Sequence, residues 1–228
     1  MLKTIPEQTQ SFIPAGVLWD MDGVLFDTTE YHYQAWSEIL AGFNMPFSRK
    51  DFISTFGMTN QQSLTSLLGH PPSTSLLEAI EIRKEENFRQ AIRGKVQLFP
   101  GVLLLLESLQ QTGVRQAIAS SAPLENIDAL VREGRIGSYF QTIVSGQGFP
   151  SKPDPAIFLK AGEQIDVPNQ YCIVIEDSLH GIGAARRAGM KSIAVATTNS
   201  FDSFKDADII VERMIDLSLS DIMSLIQP

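Results

Sequence analysis

Short, almost purely apolar runs recur along the chain, and they constrain the fold more than any other feature of the sequence. Runs of this kind, without strict alternation of apolar and polar positions, are typical of strands covered on both faces. Helix-like stretches separate most of them, and strand–helix alternation indicates a parallel sheet. We therefore predict an α/β fold, a Rossmann-like doubly wound parallel sheet, with strands over residues 15–20, 116–120, 142–145, 171–175, 192–196 and 207–211.

The helix-like stretches between these runs carry start and stop signals. Asp154 followed by Pro155 is a start signal, because the aspartate can cap a helix and proline fits the first helical position. Gly189, after two arginines, is a stop signal. On this basis we predict helices over residues 100–111, 124–133, 155–164 and 181–188.

Residues 29–97 have a different sequence pattern, in which no convincing strand can be identified. Capping-box patterns, in which Ser or Thr is followed three residues later by an acidic or amide residue, open three helices. The pairs are Ser48 with Asp51, Thr59 with Gln62, and Ser75 with Glu78. We predict a helical cap domain over residues 29–97, inserted into an α/β core domain of residues 1–28 and 98–228. The two crossings near Thr28 and Gly94 would then form a hinge pair.

The charge balance argues against some classes of function. Of the 228 residues, 18 are Lys or Arg and 26 are Asp or Glu, which gives a formal net charge of -8. A protein that binds the phosphate backbone of nucleic acids needs a basic surface, so we expect no nucleic-acid partner. The longest apolar run, residues 102–106, is far too short to cross a bilayer, so we expect no membrane partner.

Cysteine usage and the first residues bear on the compartment. The single cysteine, Cys172, forbids an internal disulfide and fits a reducing compartment. The opening residues, MLKTIPEQTQ, lack the long apolar stretch of a secretion signal. We therefore expect a cytoplasmic protein. The sequence leaves the oligomeric state open, with a monomer favoured because no exposed apolar stripe stands out.

Polar residues gather at the predicted carboxyl ends of the strands. Ligands of a doubly wound sheet bind beyond these ends. The residues in question are Asp20 and Asp22 after the first strand, Ser120 and Ser121 after the second, Lys152 after the third, and Glu176 and Asp177 after the fourth. Four carboxylates, the hydroxyl of Ser120 and a lysine are therefore expected at one edge of the sheet.

The expected cluster of carboxylates needs a cation, because carboxylates this close repel one another and raise each other's pKa. An all-oxygen site suits Mg²⁺, and Mg²⁺ with a lysine suits a phosphoryl group. We predict that Asp20 attacks the phosphorus as a nucleophile and that Asp22 acts as general acid and then general base. Ser120 would hydrogen-bond a phosphoryl oxygen, and Lys152 would offset charge in the transition state.

Four segments in order, DMDGVLFDT, IASSAP, SKPDP and IEDSLHGIGAARRAGM, resemble the four motifs of the haloacid dehalogenase-like superfamily. The resemblance spans nearly the whole chain, and the helical insert resembles that superfamily's small α-helical cap. The roles that it implies are a nucleophile (Asp20), an acid/base (Asp22) and phosphate binders (Ser120 and Lys152). The Mg²⁺ ligands that it implies are Asp20, Glu176, Asp177 and the backbone carbonyl of Asp22.

Two residues of the predicted cap break the apolar pattern of their helices, which we place around 31–40 and 76–92. His32 lies four residues from Trp36, and Lys84 lies four residues from Phe88, so each falls on an apolar stripe. His32 is either a satisfied core or hinge histidine or a group that assists proton transfer. Lys84 either snorkels to water along its apolar stem or faces the cleft between cap and core.

The segment DTTEYHYQAW resembles the corresponding part of β-phosphoglucomutases. This resemblance implies that His32 assists the acid/base aspartate and that Lys84 contacts a sugar phosphate. The mutases carry a cap arginine that holds the distal phosphate, whereas the matching stretch here, residues 57–62, has none. Asn60 can hydrogen-bond a phosphate or a sugar hydroxyl but supplies no charge. The run that begins at Ser121, SAPL, looks more like the sugar-phosphate phosphatases of the same subfamily.

These features favour a Mg²⁺-dependent phosphatase that hydrolyses small phosphate monoesters, such as a sugar phosphate, through an aspartyl-phosphate intermediate. The alternative is a mutase that interconverts glucose 1-phosphate and glucose 6-phosphate, in which a sugar hydroxyl and not water meets the aspartyl phosphate. A metal-free dehalogenase usually lacks the second aspartate, but Asp22 and Asp177 are both present. A non-enzymatic sugar-phosphate-binding module would be expected to have lost Asp20 or Asp22.

Overall fold

The fold is built on one six-stranded parallel sheet. The computed structural model describes residues 14–226. The strands are β1 (Gly16–Trp19), β2 (Arg115–Ser120), β3 (Thr142–Ser145), β4 (Cys172–Glu176), β5 (Lys191–Val195) and β6 (Ile209–Val211). Their order across the sheet is β3-β2-β1-β4-β5-β6, and all neighbouring pairs are parallel. The predicted strands are confirmed, although their bounds shift by up to 2 residues.

The order of the strands reverses at β1. Strands β2 and β3 lie on one side of β1. The chain then crosses to the other side of β1, where it forms β4, β5 and β6. Such a topological switch point leaves a crevice beyond the carboxyl ends of β1 and β4, where ligands of doubly wound sheets bind. The predicted α/β fold class, a doubly wound parallel sheet with a helical insertion, is confirmed.

Helices follow β1 as a group and then alternate with strands. The group after β1 is α1 (Thr29–Gly42), α2 (Arg49–Thr55), α3 (Asn60–Leu68) and α4 (Thr74–Ile92). The others are α5 (Val102–Gln111), α6 (Leu124–Gly134), α7 (Ala156–Gln164), α8 (Leu179–Arg187) and α9 (Leu219–Ile226). Among residues 14–226, none of these helices is both long and apolar enough to cross a membrane.

The helix starts test the capping signals read from the sequence. The boxes of Ser48 with Asp51 and of Thr59 with Gln62 are present. The third predicted box, Ser75 with Glu78, was wrong, because Ser73 caps α4. The hydroxyl of Ser73 accepts a hydrogen bond from the N–H of Leu76. Ser73 has an extended backbone and directly follows two prolines, so the helix begins at the first available cap. Helix α9 was not predicted, although Ser218 and Asp221 form a similar box.

The sheet is buried on both faces, as the apolar runs predicted. Side chains of a strand alternate between the two faces. Trp19 and Ile175 belong to a large hydrophobic cluster with residues of α5, α6 and α9. Leu18 and Val174 belong to a second cluster with residues of α7 and α8. Packing on both sides fixes the strands, and therefore the positions of the residues at their carboxyl ends.

The four helices after β1 share a hydrophobic cluster of their own. Its buried members are Trp36, Ile39, Leu40, Phe52, Leu64 and Ile80. Phe88 and Ile92, near the end of α4, instead join the large cluster under the sheet. This arrangement supports a helical cap over residues 29–97, and the domain boundaries stay a prediction. The described part of the chain excludes residues 1–13 and 227–228. The prediction that the chain lacks a secretion signal concerns the first of these ranges and is therefore outside it.

A polar side chain is buried between the sheet and α5. Gln116, in β2, is fully buried. Its side-chain oxygen accepts a hydrogen bond from Nε1 of Trp19 at 3.1 Å, and its amide donates to the carbonyl oxygen of Leu106 at 3.1 Å. Buried polar groups need such partners. Gln116 therefore ties together β2, α5 and the strand that leads into Asp20.

Replacing Gln116 with methionine (Gln116→Met) keeps the size of the side chain and removes both hydrogen bonds. We expect the free energy of unfolding to fall by about 1–3 kcal/mol, because the indole N–H of Trp19 is left buried without its acceptor. Urea denaturation measures the change. The matched control is Gln164→Met on the exposed surface of α7, where the partner, Thr142, can turn to water. An equal loss in the control would contradict this explanation.

Candidate active site

The structure brings the predicted strand-end residues together. Asp20 follows β1, Ser120 ends β2, Lys152 lies in the loop before α7, Glu176 ends β4 and Asp177 comes next. Carboxylate oxygens of Asp20, Glu176 and Asp177 lie within 4.8 Å of one another. All three residues are buried. A compact acidic cluster therefore lies at the switch point between β1 and β4.

Lys152 is the counter-charge of this acidic cluster. Its Nζ lies 2.6 Å from Oδ1 of Asp20 and 2.7 Å from Oε1 of Glu176. The same ammonium donates a longer hydrogen bond, of 3.4 Å, to the carbonyl oxygen of Ala119. Burial alone would lower the pKa of Lys152, but the carboxylates of Asp20 and Glu176 outweigh it and raise that pKa above its usual value. Lys152 is therefore charged.

One lysine does not neutralise three carboxylates. Burial raises the pKa of Asp20 to about 7 against the opposing effect of Lys152. Burial, followed by the repulsion of Glu176 and Asp20, raises the pKa of Asp177 well above its usual range. A divalent cation would relieve this repulsion, and buried carboxylate oxygens are ligands that Mg²⁺ prefers. Asp20, Glu176 and Asp177 therefore fit a divalent metal ion.

Backbone groups at the start of α8 hold Glu176 in place. Its Oε2 accepts hydrogen bonds from the N–H groups of Asp177 and Ser178, at 2.9 and 2.7 Å. Gly181, in the first turn of α8, lies directly against this carboxylate. A Cβ atom at that position would be 1.9 Å from Oε1 of Glu176. Any side chain at position 181 would displace the carboxylate from the cluster.

Asp177 is held by residues that follow β5. Oγ1 of Thr198 lies 2.6 Å from Oδ2 of Asp177, and Nδ2 of Asn199 donates to the carbonyl oxygen of Asp177 at 3.0 Å. On the other side lies Gly23, at a φ of 82°, where a Cβ atom would be 2.0 Å from Oδ2 of Asp177. Thr198 and Asn199 were not predicted as site residues. Applying the strand-end rule to the fifth predicted strand would have found them.

Asp22 directs its side chain away from the acidic cluster. Its Oδ1 accepts a hydrogen bond from Oγ1 of Thr28 at 2.5 Å and lies 3.1 Å from Nε2 of His32. Burial opposes the ionisation of Asp22, but His32, Thr28 and Lys84 outweigh it and hold its pKa below the usual value. The side chain of Asp22 is thus not part of the candidate metal site, and metal binding through its backbone carbonyl stays a prediction.

His32 combines the two interpretations that the sequence left open. Its ring stacks on Phe88 with centroids 4.0 Å apart and an interplanar angle of 9°. Phe56 meets the same ring edge-on at 6.1 Å. This packing fixes the imidazole while Nε2 faces Asp22. His32 is therefore packed as a core residue and, at the same time, bonded to the predicted acid/base.

A cavity of about 570 Å³ opens beside the sheet edge. Its lining includes five of the predicted residues, namely Asp22, His32, Asn60, Lys84 and Ser121. It also includes Ser151, the residue before Lys152. Cavities of this size accommodate small organic ligands. The cavity therefore lies between the helices that follow β1 and the carboxyl ends of the strands.

Lys84 is buried in the wall of this cavity. Its side chain is 5% exposed, and its Nζ lies 2.9 Å from Oε1 of Glu85. The ammonium also lies over the ring of Trp36, 5.4 Å from its centroid. The interpretation that Lys84 snorkels to water is therefore wrong. Glu85, which also lines the cavity, was missed because neighbouring charged residues in RKEEN do not reveal which side chain is buried; Asn126, on α6, lines the cavity and was missed as well.

Ser120 ends β2, and Ser121, the next residue, lines the cavity. Ser120 is 1% exposed, and its Oγ accepts a hydrogen bond from the N–H of Ala122 at 3.2 Å. Because the hydroxyl is the acceptor in this bond, its own proton is available to a ligand oxygen. This geometry supports the predicted phosphate-binding role of Ser120.

The fold and this site define a class of α/β enzymes with helices inserted after the first strand and an acidic cluster at the switch point. The chain belongs to the haloacid dehalogenase-like hydrolase family, whose model matches residues 17–195. The predicted family and the prediction of an enzyme are therefore confirmed.

Relatives of known name include both sugar-phosphate mutases and phosphatases. Beta-phosphoglucomutase of Bacillus subtilis is 33% identical over 211 residues, which cover 89% of this chain and 91% of that protein. A phosphorylated carbohydrates phosphatase of Thermotoga maritima is 28% identical, covering 78% of this chain and 82% of that protein. The crystal structure of CbbY from Rhodobacter sphaeroides in complex with phosphate matches with a TM-score of 0.84 and 26% identity, over 92% of this chain and 100% of that one.

Removing one carboxylate tests whether the acidic cluster binds a divalent cation. In Asp177→Asn the repulsion in the metal-free protein is smaller, because burial and two neighbouring carboxylates disfavour the charge of Asp177. We expect the Tm of the metal-free protein to rise by about 2–4 °C. The further rise in Tm that Mg²⁺ gives the unsubstituted protein should be absent from the variant.

Differential scanning calorimetry with and without Mg²⁺ measures both effects. Asp206→Asn is the matched control, because it removes an exposed carboxylate that is paired with Arg186 on the surface. The control should keep the full Mg²⁺-dependent shift. A shift of undiminished size in Asp177→Asn would show that the cluster is not the metal site.

Proposed function

We propose that the protein is a Mg²⁺-dependent phosphatase that hydrolyses small phosphate monoesters, a sugar phosphate in particular, through an aspartyl phosphate on Asp20. One observation carries the proposal. At the switch point of the sheet, the carboxylate of Asp20 lies 2.6 Å from the ammonium of Lys152 and within 4.8 Å of two further carboxylates. A nucleophile, a cation and candidate metal ligands are thereby within reach of one phosphoryl group. The names of the two relatives support a phosphorylated sugar as substrate.

The reaction consists of two displacements at phosphorus. In the first, a carboxylate oxygen of Asp20 attacks the phosphorus, the bond to the leaving oxygen breaks, and Asp22 gives that oxygen its proton. In the second, Asp22 takes a proton from water, the water oxygen attacks the phosphorus, and the bond to Asp20 breaks. The products are an alcohol and inorganic phosphate. Lys152 and Ser120 stabilise the phosphoryl oxygens in both displacements.

The three carboxylates of the acidic cluster are the proposed ligands of Mg²⁺. When bound there, Mg²⁺ supplies the positive charge that lets two anions, a carboxylate and a phosphoryl group, approach each other. Glu176 and Asp177 are positioned for this by the N–H groups at the start of α8 and by Thr198. Lys152 remains bound to Asp20 and directs one of its oxygens.

Asp22 must carry a proton in the first displacement and lose it before the second. The 3.1 Å hydrogen bond between Nε2 of His32 and Oδ1 of Asp22 is a path along which a proton can reach Asp22. Asp22 can then exchange its bond to Thr28 for one to the leaving oxygen. The same hydrogen bonds favour the ionised form of Asp22, which is the form required of a general base.

Asp20→Asn removes the nucleophile and keeps the shape of the side chain. We expect release of phosphate from p-nitrophenyl phosphate to fall by about 10³-fold or more. Excess chelator should abolish the activity of the unsubstituted protein, and added Mg²⁺ should restore it. The control Asp27→Asn, at an exposed position near the same loop, should retain activity. Full activity in Asp20→Asn or in chelator would refute the proposal.

A phosphosugar mutase is the second candidate, and the relative named beta-phosphoglucomutase, at 33% identity, favours it. β-Glucose 1-phosphate with a trace of glucose 1,6-bisphosphate separates the two functions if glucose 6-phosphate and free phosphate are followed together. For a phosphatase we expect free phosphate as the main product. Fast formation of glucose 6-phosphate with little free phosphate would establish the mutase.

The pH profile of the reaction tests the pairing of His32 with Asp22. In His32→Gln the imidazole that lowers the pKa of Asp22 is absent, so that pKa rises. A general base with a higher pKa is protonated at a higher pH, and the acidic limb of kcat should move upward in pH. The exposed His70, replaced in the same way, provides the control. An unmoved acidic limb in His32→Gln would show that His32 does not act on Asp22.

A further inference from the structure

The cavity wall holds a buried carboxylate that the proposed reaction does not use. The side chain of Glu85, on α4, is 8% exposed. Its Oε1 accepts hydrogen bonds from Nδ2 of Asn60 at 2.7 Å and from Nζ of Lys84 at 2.9 Å. Its Oε2 accepts one from Nδ2 of Asn126 at 2.5 Å. The donors come from α3, α4 and α6, so Glu85 is fixed from both sides of the cavity.

Glu85 carries its negative charge in this position. Burial opposes ionisation, but the attraction of Lys84 and His32 and the hydrogen bond from Asn60 outweigh it and hold the pKa of Glu85 below its usual value. Each carboxylate oxygen can accept two hydrogen bonds. Oε2 accepts one from Asn126, which leaves capacity for a donor inside the cavity. A hydroxyl group of a ligand is such a donor.

The surroundings of Glu85 add further negative charge. Apart from Asp22 and His32, the charged side chains that line the cavity among the described residues are Lys84 and Arg89 against Glu81, Glu85 and Glu125. Lys84 is neutralised by its ion pair with Glu85. Arg89 donates to Oδ1 of Asn126 at 2.9 Å. A second phosphate on the substrate would therefore meet a wall with more carboxylates than cations, whereas phosphate sites need charge-assisted donors.

We propose that Glu85 determines substrate specificity by accepting a hydrogen bond from a hydroxyl of the leaving alcohol and by repelling a second phosphate. The preferred substrates are then monophosphates of polyhydroxylated compounds, and bisphosphates are excluded. Repulsive groups of this kind are a general means of discrimination between related ligands. The inference rests on the proposed phosphatase function, because it concerns the leaving group of that reaction.

The test measures the inhibition constants of glucose 6-phosphate and glucose 1,6-bisphosphate against hydrolysis of p-nitrophenyl phosphate. We expect the unsubstituted protein to bind the monophosphate about tenfold more tightly, a difference of ~1.4 kcal/mol. Glu85→Gln removes the charge and frees the ammonium of Lys84 for the second phosphate. In this variant the preference should fall by about tenfold or reverse.

Glu86→Gln is the matched control, since Glu86 is the next residue of α4 and is exposed. It removes the same charge from the same helix and should leave the ratio of the two constants unchanged. Asn60→Arg covers the case in which Glu85→Gln fails to fold. It adds a cation beside Glu85 and should shift the ratio in the same direction.

Several outcomes would overturn the role of Glu85 while leaving the phosphatase intact. For the unsubstituted protein, these outcomes are tighter binding of the bisphosphate or no inhibition by either compound. For the variants, they are an unchanged ratio of the two inhibition constants in a folded Glu85→Gln or Asn60→Arg, or an equal shift of that ratio in Glu86→Gln. Failure of the proposed function has a separate signature, which is no Mg²⁺-dependent hydrolysis of p-nitrophenyl phosphate by the unsubstituted protein.

Discussion

The arrangement of the candidate active site depends on the ion pairs of Lys152 with two buried carboxylates. The ammonium of Lys152 lies between Asp20, after β1, and Glu176, at the end of β4, where the strand order of the sheet reverses. Buried carboxylates without such a partner are strongly unfavourable in a low-dielectric interior. The lysine therefore allows acidic groups from separate segments of the chain to meet. It leaves an excess of negative charge that suits a divalent cation.

Hydrogen bonds connect Asp22 and α6 to the helices that follow β1. His32 reaches Asp22 from α1, while Glu85, on α4, is bound to Asn126, on α6. Arg89, one turn after Glu85, is bound to the same asparagine. Groups proposed to move protons and groups proposed to recognise the leaving alcohol therefore line the same cavity. The cavity lies between them, so a ligand would contact both at once.

The sequence predicted best those features that local physics decides. Near-continuous apolar runs identify strands covered on both faces, and the polar residues after them identify the sheet edge that binds ligands. Tertiary packing decides the rest. Glu85 and Glu86 are identical in sequence, yet one is buried by partners from three helices and the other is exposed. Thr198 follows the fifth predicted strand, which marks it as a sheet-edge residue, but its bond to Asp177, 21 positions away, is seen only in the fold.

The helix α4 connects two hydrophobic clusters. Ile80 packs among the helices after β1, whereas Phe88 and Ile92 pack under the sheet. Lys84 and Glu85 lie between these anchors, facing the cavity. Selectivity and folding stability are therefore coupled along a single element. An enzyme re-engineered at α4 for a new leaving group would lose part of its margin of stability, and such variants would need compensating substitutions elsewhere in the chain.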